Sequence, residues 1–137
     1  MTIDEMPAGR EMDVRVALEV FNEPKPEKPP SYTGSVSGIY NYFEPTPWRA
    51  WQPECVNGEW EWVPVPFSEK IVYAWEVIEK LHAAGRFMHL DALGFDGEKW
   101  RCFFAWTQIE KQQYPWIGEA DTAPLAICRA ALKAVTP

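Results

Sequence analysis

The stretch Arg86–Trp106, RFMHLDALGFDGEKWRCFFAW, decides the fold. Two strand-forming runs rich in aromatic and apolar residues flank Asp96-Gly97, the pair best suited to a two-residue hairpin turn with positive φ at both central positions. A turn there sets the register. Leu93 falls opposite Trp100, Asp91 opposite Cys102, His89 opposite Phe104 and Phe87 opposite Trp106, all on one face because strand side chains alternate. Met88, Leu90 and Ala92 then share the other face with Ala105, Phe103 and Arg101. Both faces are largely apolar in this register. A two-stranded ribbon is not stable alone, so it needs helices on both sides, or helices on one side and a second subunit on the other. A homo-oligomer is therefore expected.

Helices are available on either side of the hairpin. Upstream, Ile71, Ala74, Trp75, Ile78, Leu81 and His82 form one stripe, with Ser68 placed to cap the first turn and Gly85 to end the helix. Downstream, ADTAPLAICRAALKAV (Ala120–Val135) starts with Asp121 or Thr122 as cap and tolerates Pro124 in its first turn. Its apolar stripe is Leu125, Cys128, Leu132 and Val135. Near the start of the chain, Val14, Ala17, Leu18 and Phe21 recur at helical spacing from about Arg10 to Phe21. That helix must stop before NEPKPEKPPS, whose prolines and alternating charges favour an extended, solvated linker.

These pieces resemble the phage ABA sandwich domain, a family of small proteins encoded by phages and prophages. The resemblance is carried by AWEVIEKL (Ala74–Leu81) and ADTAPLAICRAALKAV, joined through a hairpin with GEKWRCFF, and by the early PAGREMDVRVALEVF. It implies an α+β fold, an α/β sandwich with a small antiparallel sheet covered by helices, and a viral origin. It implies no catalytic residues. On this reading the chain, 1–137, is a single domain with an aromatic and proline-rich insertion at about 41–67.

Composition excludes several classes. The 137 residues suffice for one core but not for two ordinary domains. A formal net charge of −7 argues against a duplex nucleic-acid surface, and no apolar run is long enough to span a membrane. The acidic opening MTIDEMPAGREMD does not resemble a signal peptide, so the host bacterial cytoplasm is the expected location. Cys55, Cys102 and Cys128 match no disulfide framework and no zinc-ligand spacing, so neither a metal nor another cofactor is expected.

Function is sought in the aromatics. The stretch Asn41–Phe67, NYFEPTPWRAWQPECVNGEWEWVPVPF, holds four tryptophans and five prolines. Within it, Asn57-Gly58 is a second hairpin turn, and Trp60 and Trp62 share one face of the strand that follows, as sheet-packing aromatics do. EPTPWRAW differs: its prolines restrain the chain, and Trp48, Arg49 and Trp51 have no strand or helix periodicity to bury them together. Tryptophan and arginine dominate interface hot spots and can sandwich a base, which makes these three residues the first binding candidates. Arg101 and Trp106 on the hairpin, with Lys111, Tyr114 and Trp116 in the loop TQIEKQQYPWIGEADT, complete the candidate ligand-binding set. His89 and Asp91 could act as an acid/base pair, or bind a metal with His82 or Cys102, but no motif context supports catalysis. Two functions follow. The chain is a non-catalytic accessory protein that sequesters a nucleotide-type immune signal as an anti-defence device, or a module that docks on a host or phage protein through its Trp/Pro-rich surface.

Overall fold

A computed structural model describes residues 1–30, 32–36, 40–43, 48–93, 99–105 and 116–136, with strand pairing alone for 32–36 and 40–43. Helix α1 (Arg10–Arg15) runs into a π-helical turn, Val16–Val20. Two hairpins follow, β1 (Tyr32–Val36) with β2 (Tyr40–Phe43), and β3 (Trp51–Val56) with β4 (Glu59–Pro64). Then come α2 (Ile71–Ala83), strands β5 (Phe87–Leu93), β6 (Lys99–Ala105) and β7 (Trp116–Ala120), and α3 (Ala123–Val135). The architecture is an α+β sandwich. Strands β5-β6-β7 form an antiparallel sheet, α3 packs on β6 and β7, and α2 and the π-helical turn pack on α3. Among the described residues, no helix is long and apolar enough to cross a membrane.

The β5–β6 register is one residue away from the expected one. Met88 pairs with Phe104, Leu90 with Cys102, Asp91 with Arg101 and Leu93 with Lys99. This shift moves every side chain of one strand to the other face relative to its partner. Met88, Leu90, Trp100, Cys102 and Phe104 now lie together and pack into the core. His89, Asp91, Lys99, Arg101 and Phe103 share the outer face, where His89, Lys99, Ile117 and Glu119 are exposed. The sheet therefore has one apolar face and one mixed face. A second subunit is thus not required to cover a second apolar face.

Helix α3 is more central than a narrow stripe suggests. Pro124, Leu125, Ala126, Ile127, Cys128, Ala130, Ala131, Leu132 and Ala134 are all buried, because sheet and helices enclose it on several sides. Alanines make this possible by letting backbones approach closely. At Gly118 of β7 the approach is closer still, and an added Cβ would lie 2.4 Å from both Ala126 O and Ala130 N.

Ser68 does not cap α2, whose N-cap position is Lys70. It ties α1 to the rest of the chain instead. Gly9 N donates to Ser68 Oγ at 2.9 Å, and Ser68 N donates to Asp13 Oδ1 at 2.8 Å in a buried setting. About two turns further on, Phe21 stacks on the buried Phe67 with ring centroids 5.0 Å apart. Burial pushes the Asp13 carboxyl up from 3.8 to about 6, against the lowering effect of the Ser68 hydrogen bonds. Between those values the folded chain holds a proton that the unfolded chain has released, so stability falls as pH rises from about 4 through 6. The loss is complete above that window and amounts to at most about 3 kcal/mol. Asp13→Asn keeps the oxygen acceptor without a titrating proton. Denaturant melts at pH 4.5 and 7.5 are expected to show this variant losing the parent's slope and exceeding its stability at the higher pH.

Candidate functional site

The proline-rich segment after α1 organises the aromatic stretch and is not merely solvated. Trp51 Nε1 donates to Glu23 O at 2.8 Å, and Trp62 Nε1 donates to Lys28 O at 2.7 Å. The Glu23 carboxylate accepts from Arg49 N and Ala50 N, both at 2.9 Å. Each buried indole thus has an acceptor for its polar edge, which a tryptophan in a core requires. Prolines keep this strap extended, so its carbonyls remain available to side chains rather than entering a helix.

The β3–β4 hairpin turns on Asn57 and Gly58, with φ of 52° and 84°, as the sequence predicts. Trp51 opposite Pro64, Pro53 opposite Trp62 and Cys55 opposite Trp60 make up one face. Trp62 is buried, whereas Trp60 near the turn is 37% exposed. Trp51 is only 5% exposed. This corrects its assignment to a binding surface: the strap takes its indole and the core takes its rings, leaving no free face for a ligand.

Trp48 and Arg49 remain. Trp48 is half-buried against the core cluster, and Arg49 projects its side chain outward from a backbone held by Glu23. With Phe21 they form one wall of a cleft of about 650 Å³, and Glu76, Glu79 and Lys80 of α2 form the other. Two cations and two carboxylates face this space, so its charge is mixed.

Helix α2 buries Ala74, Val77, Ile78 and Leu81. The expected stripe included Ile71, Trp75 and His82, but these turn away from the core. Ile71, Val72 and Trp75 are exposed, Trp75 by 52%. They lie about one turn before the cleft's acidic wall on the same helix. Sequence reading missed this patch because Ile71 and Trp75 fit a helical stripe as well as Val77 does. The better signal is the tighter set 74, 77, 78, 81, which turns Val72 and Trp75 outward, while Ile71 keeps the apolar spacing but stands exposed as the first residue of the helix.

Of the other candidates, Arg101 and Trp116 are described, and neither lines the cleft. Arg101 Nε donates to Glu119 Oε1 at 2.7 Å across the outer sheet face, which uses its charge. Trp116 is not in a loop: it begins β7, and the Arg86 guanidinium lies 5.1 Å from its ring centroid. Trp106, Lys111 and Tyr114 lie outside the described residues. His89 Nε2 and Asp91 Oδ1 are 2.8 Å apart on the outer face, whereas Cys102 is buried on the opposite face. Among the described residues no cluster of three or more metal-ligating side chains occurs. Burial pushes the Cys102 thiol up to about 12 and raises that of Cys128 well above its ordinary value, with Asp13 adding to the latter, so both are core thiols.

No curated protein and no solved structure matches the chain. The model of the phage ABA sandwich domain matches residues 34–132. That span runs from within β1 to near the end of α3, includes the aromatic stretch 41–67 and leaves out α1. With most of the chain matched and the sandwich architecture in place, the protein belongs to the phage ABA sandwich domain family.

Proposed function

We propose that this phage-family chain is a non-catalytic accessory protein that docks on a host or phage protein through α2 and the adjoining cleft. The observation that carries this reading is the exposure of Ile71, Val72 and Trp75 beside a cleft of mixed charge. An exposed tryptophan flanked by aliphatic residues supplies the desolvated anchor of an interface, and Arg49, Lys80, Glu76 and Glu79 supply a polar rim. Mixed charge suits a protein surface, which also carries both signs.

A second reading, sequestration of a nucleotide-type immune signal, is favoured by the cleft's size and by Trp48 with Arg49 and Lys80 on its walls. Glu76 and Glu79 oppose it, because carboxylates in the same cleft repel phosphate.

The test combines two measurements on the parent, Trp75→Ala and Arg49→Ala. Arg49→Ala is expected to change folding stability by less than about 0.5 kcal/mol, since its side chain is exposed, and Trp75→Ala, whose ring is about half covered, to cost more while keeping the fold. A tagged parent chain recovered from infected cells is expected to carry a stoichiometric protein partner that both variants lose, and a second copy of the chain is one such partner. Heat-shift measurements against nucleotides are expected to show no change. A nucleotide that stabilises the parent by about 2.7 kcal/mol at 100 times its dissociation constant, but not Arg49→Ala, would replace docking with sequestration. Retention of the partner by both variants would remove this face from the function.

A further inference from the structure

Among the described residues, strand β7 has a neighbour on one side only, β6, so its other side is a sheet edge. Such an edge presents unpaired backbone groups to any passing strand and is a template for association. Here the outward carbonyls are occupied. Lys133 Nζ donates to Ile117 O at 2.6 Å, and Arg129 Nη1 donates to Glu119 O at 2.6 Å. Both cations come from α3, spaced one helical turn apart, which matches the two-residue repeat of outward carbonyls on β7.

The N-terminal segment holds these cations in place. Asp4 Oδ1 lies 2.8 Å from Lys133 Nζ, and Arg129 Nη2 donates to Met6 O at 3.0 Å. We infer that Arg129 and Lys133 close the β7 edge against pairing with a second copy of the chain, and that Asp4 and Met6 lock them there. Two copies meeting edge to edge would have to strip four carbonyls of their cationic partners. The displaced cations of each copy would also face those of the other, and like charges repel.

Because Ile117 O points outward, the Ile117 N–H points outward too, so proline at 117 would block a new strand without breaking the β6–β7 ladder. The test compares the parent with Arg129→Met/Lys133→Met, which keeps the apolar stems, and with the same pair plus Ile117→Pro. Sedimentation velocity is run over a range of concentrations, with far-UV circular dichroism as the control for folding. The double variant is expected to self-associate at least tenfold more tightly than the parent, and Ile117→Pro to reverse this. Single variants, Lys133→Met and Arg129→Met, are expected to fall between. A folded double variant of unchanged size at every concentration would overturn the inference. So would a double variant that loses its fold while both folded single variants keep the parent's size, since the cations would then serve stability alone.

Discussion

Gly118→Ala is expected to destabilise the protein by upwards of about 3 kcal/mol, near the severe end of single-substitution effects. The added methyl would sit 2.4 Å from Ala126 O, 2.4 Å from Ala130 N and 2.9 Å from Arg129 Cβ. Real carbon atoms do not approach that closely. The first two obstacles are backbone atoms of a helix buried along most of its length, so neither can rotate aside as a side chain would. Relief requires moving α3 away from β7, which opens the interface holding Ala120, Cys128 and Leu132. Gly58 is the natural control. Its φ is 84° and nothing lies within 4 Å of an added Cβ, so alanine there meets only left-handed strain of about 1 kcal/mol. Urea melts of the two variants are expected to rank them in that order. Equal costs would mean that α3 does not lie against β7 at the described distance.

Trp51→Ala is expected to cost about 3 to 5 kcal/mol, the range for removing a large buried aromatic. Two effects add: the ring system leaves a cavity in the core, and Glu23 O loses the indole donor it accepts at 2.8 Å. Trp51→Phe is expected to cost less, since it keeps most of the volume and loses the hydrogen bond. Two residues earlier, Arg49→Ala removes an exposed side chain while its backbone N–H still donates to Glu23. The contrast between positions 49 and 51 tests where the surface ends and the core begins within WRAW.

What the sequence revealed of the fold follows the range of the interactions involved. Asn57-Gly58 was legible because a two-residue turn is decided by its own two residues. Asp96-Gly97 gave equal weight to the wrong register. The observed pairing instead groups His89, Asp91, Lys99 and Arg101 away from Met88, Leu90, Cys102 and Phe104. That separation of polar from apolar positions was present in the alternation, and burial under α3 rewards it more than a turn preference does. Strand β7 escaped notice because WIGEA is short, contains glycine and follows a polar run. Its glycine serves helix approach, not a turn. Ser68 was read as a cap because it precedes a helix, yet its partners Gly9 and Asp13 are more than fifty residues away. No local pattern could supply them. Of the site, Trp48 and Arg49 were legible as a constrained aromatic and a charge, whereas the α2 wall that faces them is a product of tertiary packing.

Trp48, Trp51, Trp60, Trp62 and Trp75 divide between fold and surface, and solvent footprinting measures that division directly. Brief exposure of the folded protein to hydroxyl radicals, followed by peptide mass spectrometry, reports the accessibility of each indole. Trp75 is expected to be modified at least about tenfold faster than Trp51 and Trp62, with Trp48 and Trp60 between, following their burial. Modification of Trp51 as fast as that of Trp75 would contradict the account, because the strap formed by Glu23 and Lys28 would not hold the aromatic stretch and WRAW would be surface throughout.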